Sequence, residues 1–173
     1  MKHILIPLLV FSMYSCHHYP PLETVEKVDL EKYSGLWYDY AHLPARFLEG
    51  CTDITAEYSL ENPKYVTVYN RCIKSSTGKT SDIKGKAFPV RGSNNAKLKV
   101  QFFWPFRSDY WIVYLDENYR HAIVGGPSRK YMWILSRDPE IDLESLNKLK
   151  TRAEESGFPV NDLVITSHQN RKN

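Results

Sequence analysis

Tyr33-Ser34-Gly35-Leu36-Trp37-Tyr38 is the stretch whose reading decides the fold of this 173-residue chain. A glycine stands two residues before a tryptophan, just after the charged lead-in Asp29-Leu30-Glu31-Lys32. Alone, Gly-x-Trp can begin any strand. It gains weight from the short alternating segments that follow and from Arg137, far downstream, which can serve as the partner of Trp37. The expectation is a β-barrel whose floor Trp37 closes and whose wall the rest of the chain builds.

Working outward, Trp37, Asp39, Ala41 and Leu43 share one face of a strand, and Tyr38, Tyr40 and His42 the other. Pro44 to Gly50 breaks the run with bulky Arg46, Phe47 and Leu48, which fits a loop packed on its own barrel or a lid over an opening. Thr52 to Leu60 alternates, with Ile54, Ala56, Tyr58 and Leu60 together; after Glu61-Asn62-Pro63, Tyr65 to Cys72 sets Val66, Val68, Asn70 and Cys72 together. Pairing Leu60 with Lys64 puts Thr52 opposite Cys72. Cys51 is then one residue off, and bonding it to Cys72 requires a bulge. Ile73 to Ser81 reads as a polar loop. Asp82 to Val90 aligns Ile83, Gly85 and Ala87, small residues that leave room inside, and Ala96 to Trp104 aligns Leu98, Val100 and Phe102. Tyr110 to Leu115, Tyr119 to Gly125 and Tyr131 to Arg137 complete eight strands; Tyr131, Trp133, Leu135 and Arg137 share a face of the last. The period then changes. Asp142 caps a helix to about Ser156, ended by Gly157, with Leu143, Leu146, Leu149 and Ala153 as its apolar stripe. Leu163 to Thr166 is a short ninth strand. The fold class is all-β: an eight-stranded up-and-down antiparallel barrel with one C-terminal helix outside.

Composition agrees. With 42% hydrophobic and 25% charged residues the chain is neither disordered nor a multi-span membrane protein, and 13% aromatics suit half-buried strands. A net charge of +3 from scattered Lys and Arg gives no ground for a nucleic-acid partner. Lys2 and the apolar run Ile4 to Phe11 form a signal peptide over residues 1–15, too short to span a bilayer. Ser15-Cys16 resembles a bacterial lipoprotein signal, which implies a lipid on Cys16; ordinary secretion with cleavage nearby is the alternative. His17 after the cysteine, where an Asp would imply inner-membrane retention, implies the outer membrane. Residues 16–27 form a polar tether and 28–173 the domain. His17-His18 has no third ligand nearby, so no metal is expected, and no cofactor either. The remaining cysteines, Cys51 and Cys72, are an even pair in an exported chain, which favours a disulfide.

These residues resemble the lipocalin family. Gly35-Leu36-Trp37 is similar to its first signature, Leu115-Asp116-Glu117-Asn118-Tyr119 to its second and Ser136-Arg137 to its third. Arg46-Phe47-x-x-Gly50, Thr55-Ala56-x-Tyr58-Ser59-Leu60, Arg120-His121-Ala122-x-Val124-x-Gly126-Pro127 and Tyr131-x-Trp133-Ile134-Leu135-Ser136-Arg137 resemble the bacterial outer-membrane branch, related to apolipoprotein D and the plant temperature-induced lipocalins. The resemblance implies binding of a fatty acid or lysophospholipid by a monomer or homodimer, lipid-anchored in the outer membrane and facing the periplasm. Trp37 and Arg137 are expected to be structural, a guanidinium stacked on an indole.

The expected ligand wall comprises Ala41, Ile54, Ala56, Tyr58, Val66, Val68, Ile83, Ala87, Leu98, Val100, Phe102, Tyr110, Ile112, Trp133 and Leu135. Asn70 and Asp39 are polar groups on the same parity; Asn70 can meet a ligand head group, a water or another side chain. Two other readings stay open. A lipid-modifying enzyme (acyl hydrolase or isomerase) lacks support from any Gly-x-Ser-x-Gly or His-Glu-x-x-His, and His121 stands alone. A scaffolding or partner-binding lipoprotein would have a filled barrel, against which the small interior residues Ala41, Ala56, Gly85 and Ala87 argue. Oligomeric state stays open, with an outward aromatic such as Trp111 able to mark a dimer face.

Overall fold

Asp29 caps a single helical turn, α1 (Leu30–Tyr33); its carboxylate accepts from the backbone N–H groups of Glu31 and Lys32. Gly35 follows with φ of +92°, a conformation that a side chain would strain, and turns the chain into β1 (Gly35–His42). The computed structural model describes residues 19–168. The expected signal peptide, Cys16 and the His17-His18 pair lie outside the described residues.

Seven further strands follow β1: β2 (Cys51–Asn62), β3 (Tyr65–Lys74), β4 (Lys79–Pro89), β5 (Lys97–Gln101), β6 (Ser108–Leu115), β7 (His121–Gly125) and β8 (Met132–Ser136). Each pairs antiparallel with the next, β8 pairs with β1, and β1 pairs with β2 over Gly35–Tyr38, which closes the barrel. α2 (Leu143–Glu155) and β9 (Val164–Ile165) come last, and β9 adds to β1. Asp142 caps α2 as expected, its Oδ1 accepting from the Ser145 N–H at 2.8 Å. That bond holds the carboxyl of Asp142 below its ordinary range. Leu149 and Ala153 are buried, whereas Leu143, expected in the same stripe, is exposed.

Alternation sends the strands' apolar residues into two cores. Ile112, Ala122, Val124 and Leu135 join Trp37, Tyr58, Val66, Val68, Ala87, Leu98 and Val100 inside the barrel. Ile123, Met132 and Ile134, one residue out of phase, join Leu149, Ala153, Phe158 and Val160 between the barrel and α2. Full burial of each Val, Leu, Ile, Met or Phe side chain among these contributes about 1.5–3 kcal/mol.

The structure corrects several expectations. The β2–β3 register differs from the expected one: Tyr58 stands opposite Val68, two residues away, and Thr52 stands opposite Ile73 and not Cys72, one residue away. The departure begins at the turn, where Asn62 pairs with Tyr65; irregularities between Ser59 and Asn62 and between Thr52 and Thr55 each take back one residue of it, and Asp53 takes φ of +49° in the second. The expected polar loop from Ile73 to Ser81 shrinks to residues 75–78, because β3 runs on to Lys74 and β4 begins at Lys79. β5 ends at Gln101, leaving Phe102 to Trp104 in a connection. In β1 a bulge between Asp39 and Ala41 shifts the phase. Ala41 and Leu43 therefore pack on the α2 side, and His42 comes opposite Trp133 on the inner side.

Candidate functional site

The barrel has a closed end and an open one. At the closed end Trp37 is fully buried, and its Nε1 donates to the Tyr33 carbonyl at 2.8 Å. The Arg137 guanidinium lies 3.9 Å from the Trp37 ring centroid. It donates to the carbonyls of Leu36 (2.7 Å), Lys32 (2.8 Å), Ser34 (2.9 Å), Tyr33 (3.1 Å) and Tyr119 (3.3 Å). One planar fork thus satisfies α1's C-terminal carbonyls and ties them to the β6–β7 turn. Burial lowers the guanidinium's pKa from its ordinary value. A Cβ on Gly35 would sit 3.4 Å from Arg137 Nη1, so glycine also leaves room for the fork.

Just inside this floor three tyrosines share a chain of hydroxyls. Tyr110 Oη lies 2.8 Å from both Tyr33 Oη and Tyr58 Oη. Burial pushes all three upward, Tyr58 to about 12, so all remain protonated at neutral pH. Sequence reading put Tyr58 and Tyr110 on the wall and missed Tyr33, because a residue of a short lead-in helix carries no strand parity.

Above the tyrosines the inner wall is apolar. Trp37 stands opposite Ala56, Ala56 opposite Asn70 and Asn70 opposite Ile83, so one row climbs from floor to rim across four strands. Tyr58, Val66, Val68, Ala87, Leu98, Val100, Ile112 and Leu135 are buried in the inner core, and Ala56, Phe102, Tyr110 and Trp133 pack partly exposed against it. Ile54 is buried beside the β2 bulge. The room expected at Gly85 is taken by Phe102, whose ring lies 2.6 Å from where a Cβ would stand. Asn70 Oδ1 is buried and has no hydrogen-bond partner among the described residues. An orphaned acceptor of this kind costs about 1–3 kcal/mol unless something fills it.

Asp39 has found a partner the sequence concealed. His42 Nδ1 lies 3.0 Å from its Oδ2, and the Thr166 hydroxyl 3.3 Å from its Oδ1 and from the same His42 nitrogen. His168 Nε2 donates to the Asp39 carbonyl at 2.9 Å. The carboxylate and hydroxyl thus meet one ring nitrogen. A nucleophile–imidazole–carboxylate line needs them on opposite nitrogens. The group instead fastens the C-terminal strap, residues 164–168, to β1. His121 caps the β6–β7 turn, with Nδ1 3.0 Å from Asp116 Oδ2.

The open end is formed by residues 43–50, 75–78, 102–107 and 126–131. Cys51 and Cys72 are bonded here (Cα–Cα 5.5 Å), the β2 bulge bringing them together despite the altered register. Phe47 meets Tyr131 at 5.9 Å, and Tyr131 stacks on Trp133 at 6.3 Å. Trp111, on the outer face, is partly covered: its Nε1 donates to Asp109 and Lys97 Nζ sits 4.0 Å from the ring. Two open surface clefts lie outside the barrel, one of about 380 Å³ beside Val90–Asn94 and one of about 550 Å³ beside Arg137 and Glu117. Neither is lined by the expected wall residues. Among the described residues no cluster of His, Cys, Asp and Glu is arranged to hold a metal ion.

A family model described as a lipocalin-like domain matches residues 28–168. The outer membrane lipoprotein Blc of Vibrio cholerae is 36% identical over 98% of this chain and 100% of its own length. Temperature-induced lipocalin-1 of Arabidopsis thaliana is 36% identical over 84% of this chain and 82% of its own length. Among solved structures, insecticyanin from the tobacco hornworm superposes with a TM-score of 0.71 at 17% identity, over 88% of this chain and 87% of its own, a likeness of fold.

Proposed function

The chain belongs to the lipocalin family, and from that premise we propose that it binds, stores or carries a fatty acid or lysophospholipid inside the barrel at a bacterial cell envelope. The observation that carries this reading is the inner wall: a continuous apolar lining closed below by Trp37 and ringed above by the connections 43–50, 75–78, 102–107 and 126–131. An acyl chain lies along such a wall and gains from each methylene it hides, about 0.8 kcal/mol apiece. Asn70 Oδ1 can accept from a head-group hydroxyl or amine, and the tyrosine hydroxyls can bond a head-group oxygen. The ligand wall is Ile54, Ala56, Tyr58, Val66, Val68, Asn70, Ile83, Ala87, Leu98, Val100, Phe102, Tyr110, Ile112, Trp133 and Leu135, without Ala41. The protein acts by binding and not by turnover, held at the outer membrane on its periplasmic side by a lipid on Cys16. Homologues named outer membrane lipoproteins support that location.

The test is native mass spectrometry of the purified protein mixed with extracted envelope lipids. Retention of an acyl lipid, weakened by Ala56→Trp inside the wall, is the expected result. A protein that retains no acyl lipid overturns the reading. Hydrolysis of a lysophospholipid by the pure protein, lost in a barrel point variant, would replace it with the enzymatic one.

A further inference from the structure

We propose that the open end of the barrel is a docking surface for a lipid bilayer: the aromatic side chains of its rim enter the interface, and an arginine clamp brings the N-terminal segment to the same rim. The inference goes beyond ligand binding and draws on the envelope reading only for the lipid on Cys16.

Six tyrosine, phenylalanine and tryptophan side chains are exposed among the described residues: Tyr19, Phe47, Phe103, Trp104, Phe106 and Tyr131. Five belong to the connections at the open end. In the 102–107 connection Phe103, Trp104 and Phe106 are 68%, 86% and 76% exposed. Single exposed hydrophobics are common, but a group of large aromatics confined to one end marks an interaction site. Exposed cations stand in the same connections, Arg46, Arg107 and Lys130, against the one acid Glu49. Aromatic rings flanked by cations suit the boundary of an anionic membrane, where indole and phenol rings settle at head-group depth and cations meet phosphate.

The sixth aromatic shows where the chain enters. Arg129, in the β7–β8 connection, is buried, and its guanidinium donates to the carbonyls of Pro20 (2.8 Å), Pro127 (2.8 Å) and Ser156 (3.1 Å). It faces the rings of Tyr19 at 5.4 Å and Phe158 at 5.9 Å. From this clamp the chain runs along the barrel toward the closed end: Leu22 is buried, the Val25 N–H donates to the Ile112 carbonyl and the Val28 N–H to the Asn94 carbonyl. The described part of the tether is therefore fastened to the wall. Cys16 precedes Tyr19 by three residues, a reach of about 10 Å. A lipid on Cys16 and the aromatic rim would thus enter one leaflet, and the mouth would open onto the bilayer that supplies its ligand.

The experiment uses the chain from residue 17 onward, which keeps every described residue and carries no lipid, with vesicles of phosphatidylglycerol and phosphatidylethanolamine. Flotation should show the chain bound. The variant Phe103→Ser/Trp104→Ser/Phe106→Ser should lose at least about ten-fold in partitioning, with unchanged thermal unfolding and unchanged retention of acyl lipid in vesicle-free solution. Arg46→Gln/Arg107→Gln should lose most of its preference for phosphatidylglycerol. In the lipidated full-length protein, brominated lipids should quench emission that disappears in Trp104→Phe. A chain that stays off vesicles, a triple variant that binds as well as the parent, or Trp104 unquenched in the lipidated protein overturns the proposal. So does sedimentation showing that the triple variant turns a dimer into monomers, since a second copy would then cover the rim. Failure of vesicle binding with acyl lipid still retained separates this inference from the ligand reading.

Discussion

Trp37 at the closed end keeps none of its surface, and Trp104 at the open end keeps 86% of its own. The surroundings of the two differ as much as their exposure. Trp37 has its indole N–H bonded to a carbonyl, a guanidinium stacked on its face and Tyr33 tilted against it at 5.0 Å. Trp104 stands in a connection between strands with water on most of its ring. The contrast teaches where the fold puts its constraints. At the floor carbonyls and rings are tied to one another, whereas past Gln101, where β5 stops, the 102–107 connection carries Phe103, Trp104 and Phe106 with most of their surface in water.

The largest blow to that contrast should come from Trp37→Ala. It removes a large side chain and the platform beneath Arg137, and we expect a loss of about 3–5 kcal/mol in urea unfolding. A loss no greater than at the rim would show that the floor does not carry the stability assigned to it. The disulfide is the exception at the open end. Cys51→Ser/Cys72→Ser should cost about 2–4 kcal/mol in the same measurement, chiefly through a less restricted unfolded chain.

Alkaline titration probes the tyrosines above the floor. Their folded pKa values are raised, Tyr58 from 10.0 to about 12. The protonated hydroxyls therefore contribute stability that is fully present below pH 10 and falls away as the pH climbs toward 12. Thermal melts across that window should fall steeply, and Tyr58→Phe should flatten the fall; an identical slope would mean that Tyr58 does not titrate with unfolding. The smallest effect belongs to Trp104→Ser without membranes. Unfolding should shift by no more than about 0.5 kcal/mol, as for other surface positions that make no special contact. A larger shift would mean that the rim is packed and the comparison of the two ends is misdrawn.

Much of the closed end was legible in the sequence, since Gly35, Trp37 and Arg137 are individual residues with individual tasks. Strand order was legible as well, because period-two alternation punctuated by turns leaves few topologies. Features set by one extra residue were not. The β2–β3 turn is tighter than the residues suggest, pairing Asn62 with Tyr65, and the irregularities at Ser59–Asn62 and Thr52–Thr55 each slide the register back by one; nothing in those residue types announces them. Asp39 could be placed inward, but its partner Thr166 lies 127 residues away and its neighbour His42 had been assigned to the other face. Phe102-Phe103-Trp104 reads as the end of the strand Ala96 to Trp104, because alternation cannot tell a wall from a rim when every residue is aromatic. Pro105 ends that run in sequence, but the ladder stops earlier, at Gln101. Arg129 was passed over because a buried arginine with three carbonyl partners looks, in sequence, like any charged turn residue.

The bulge in β1 has a consequence of its own. Up to Asp39 the strand addresses the lumen in one rhythm; beyond Tyr40 it keeps time with the helix side, and Ala41 and Leu43 face α2. Orientation past this point is thus set by the bulge and not by residue type. A strand that kept every residue but lost the bulge would invert every later side chain, bringing Ala41 into the lumen, placing the imidazole of His42 beneath the helix and undoing the fastening of the C-terminal strap. Deleting Tyr40 alone would straighten the ladder and leave Ala41 opposite Ile134 and His42 opposite Trp133, as they stand. One residue acts as a hyphen between two compartments that share a single strand.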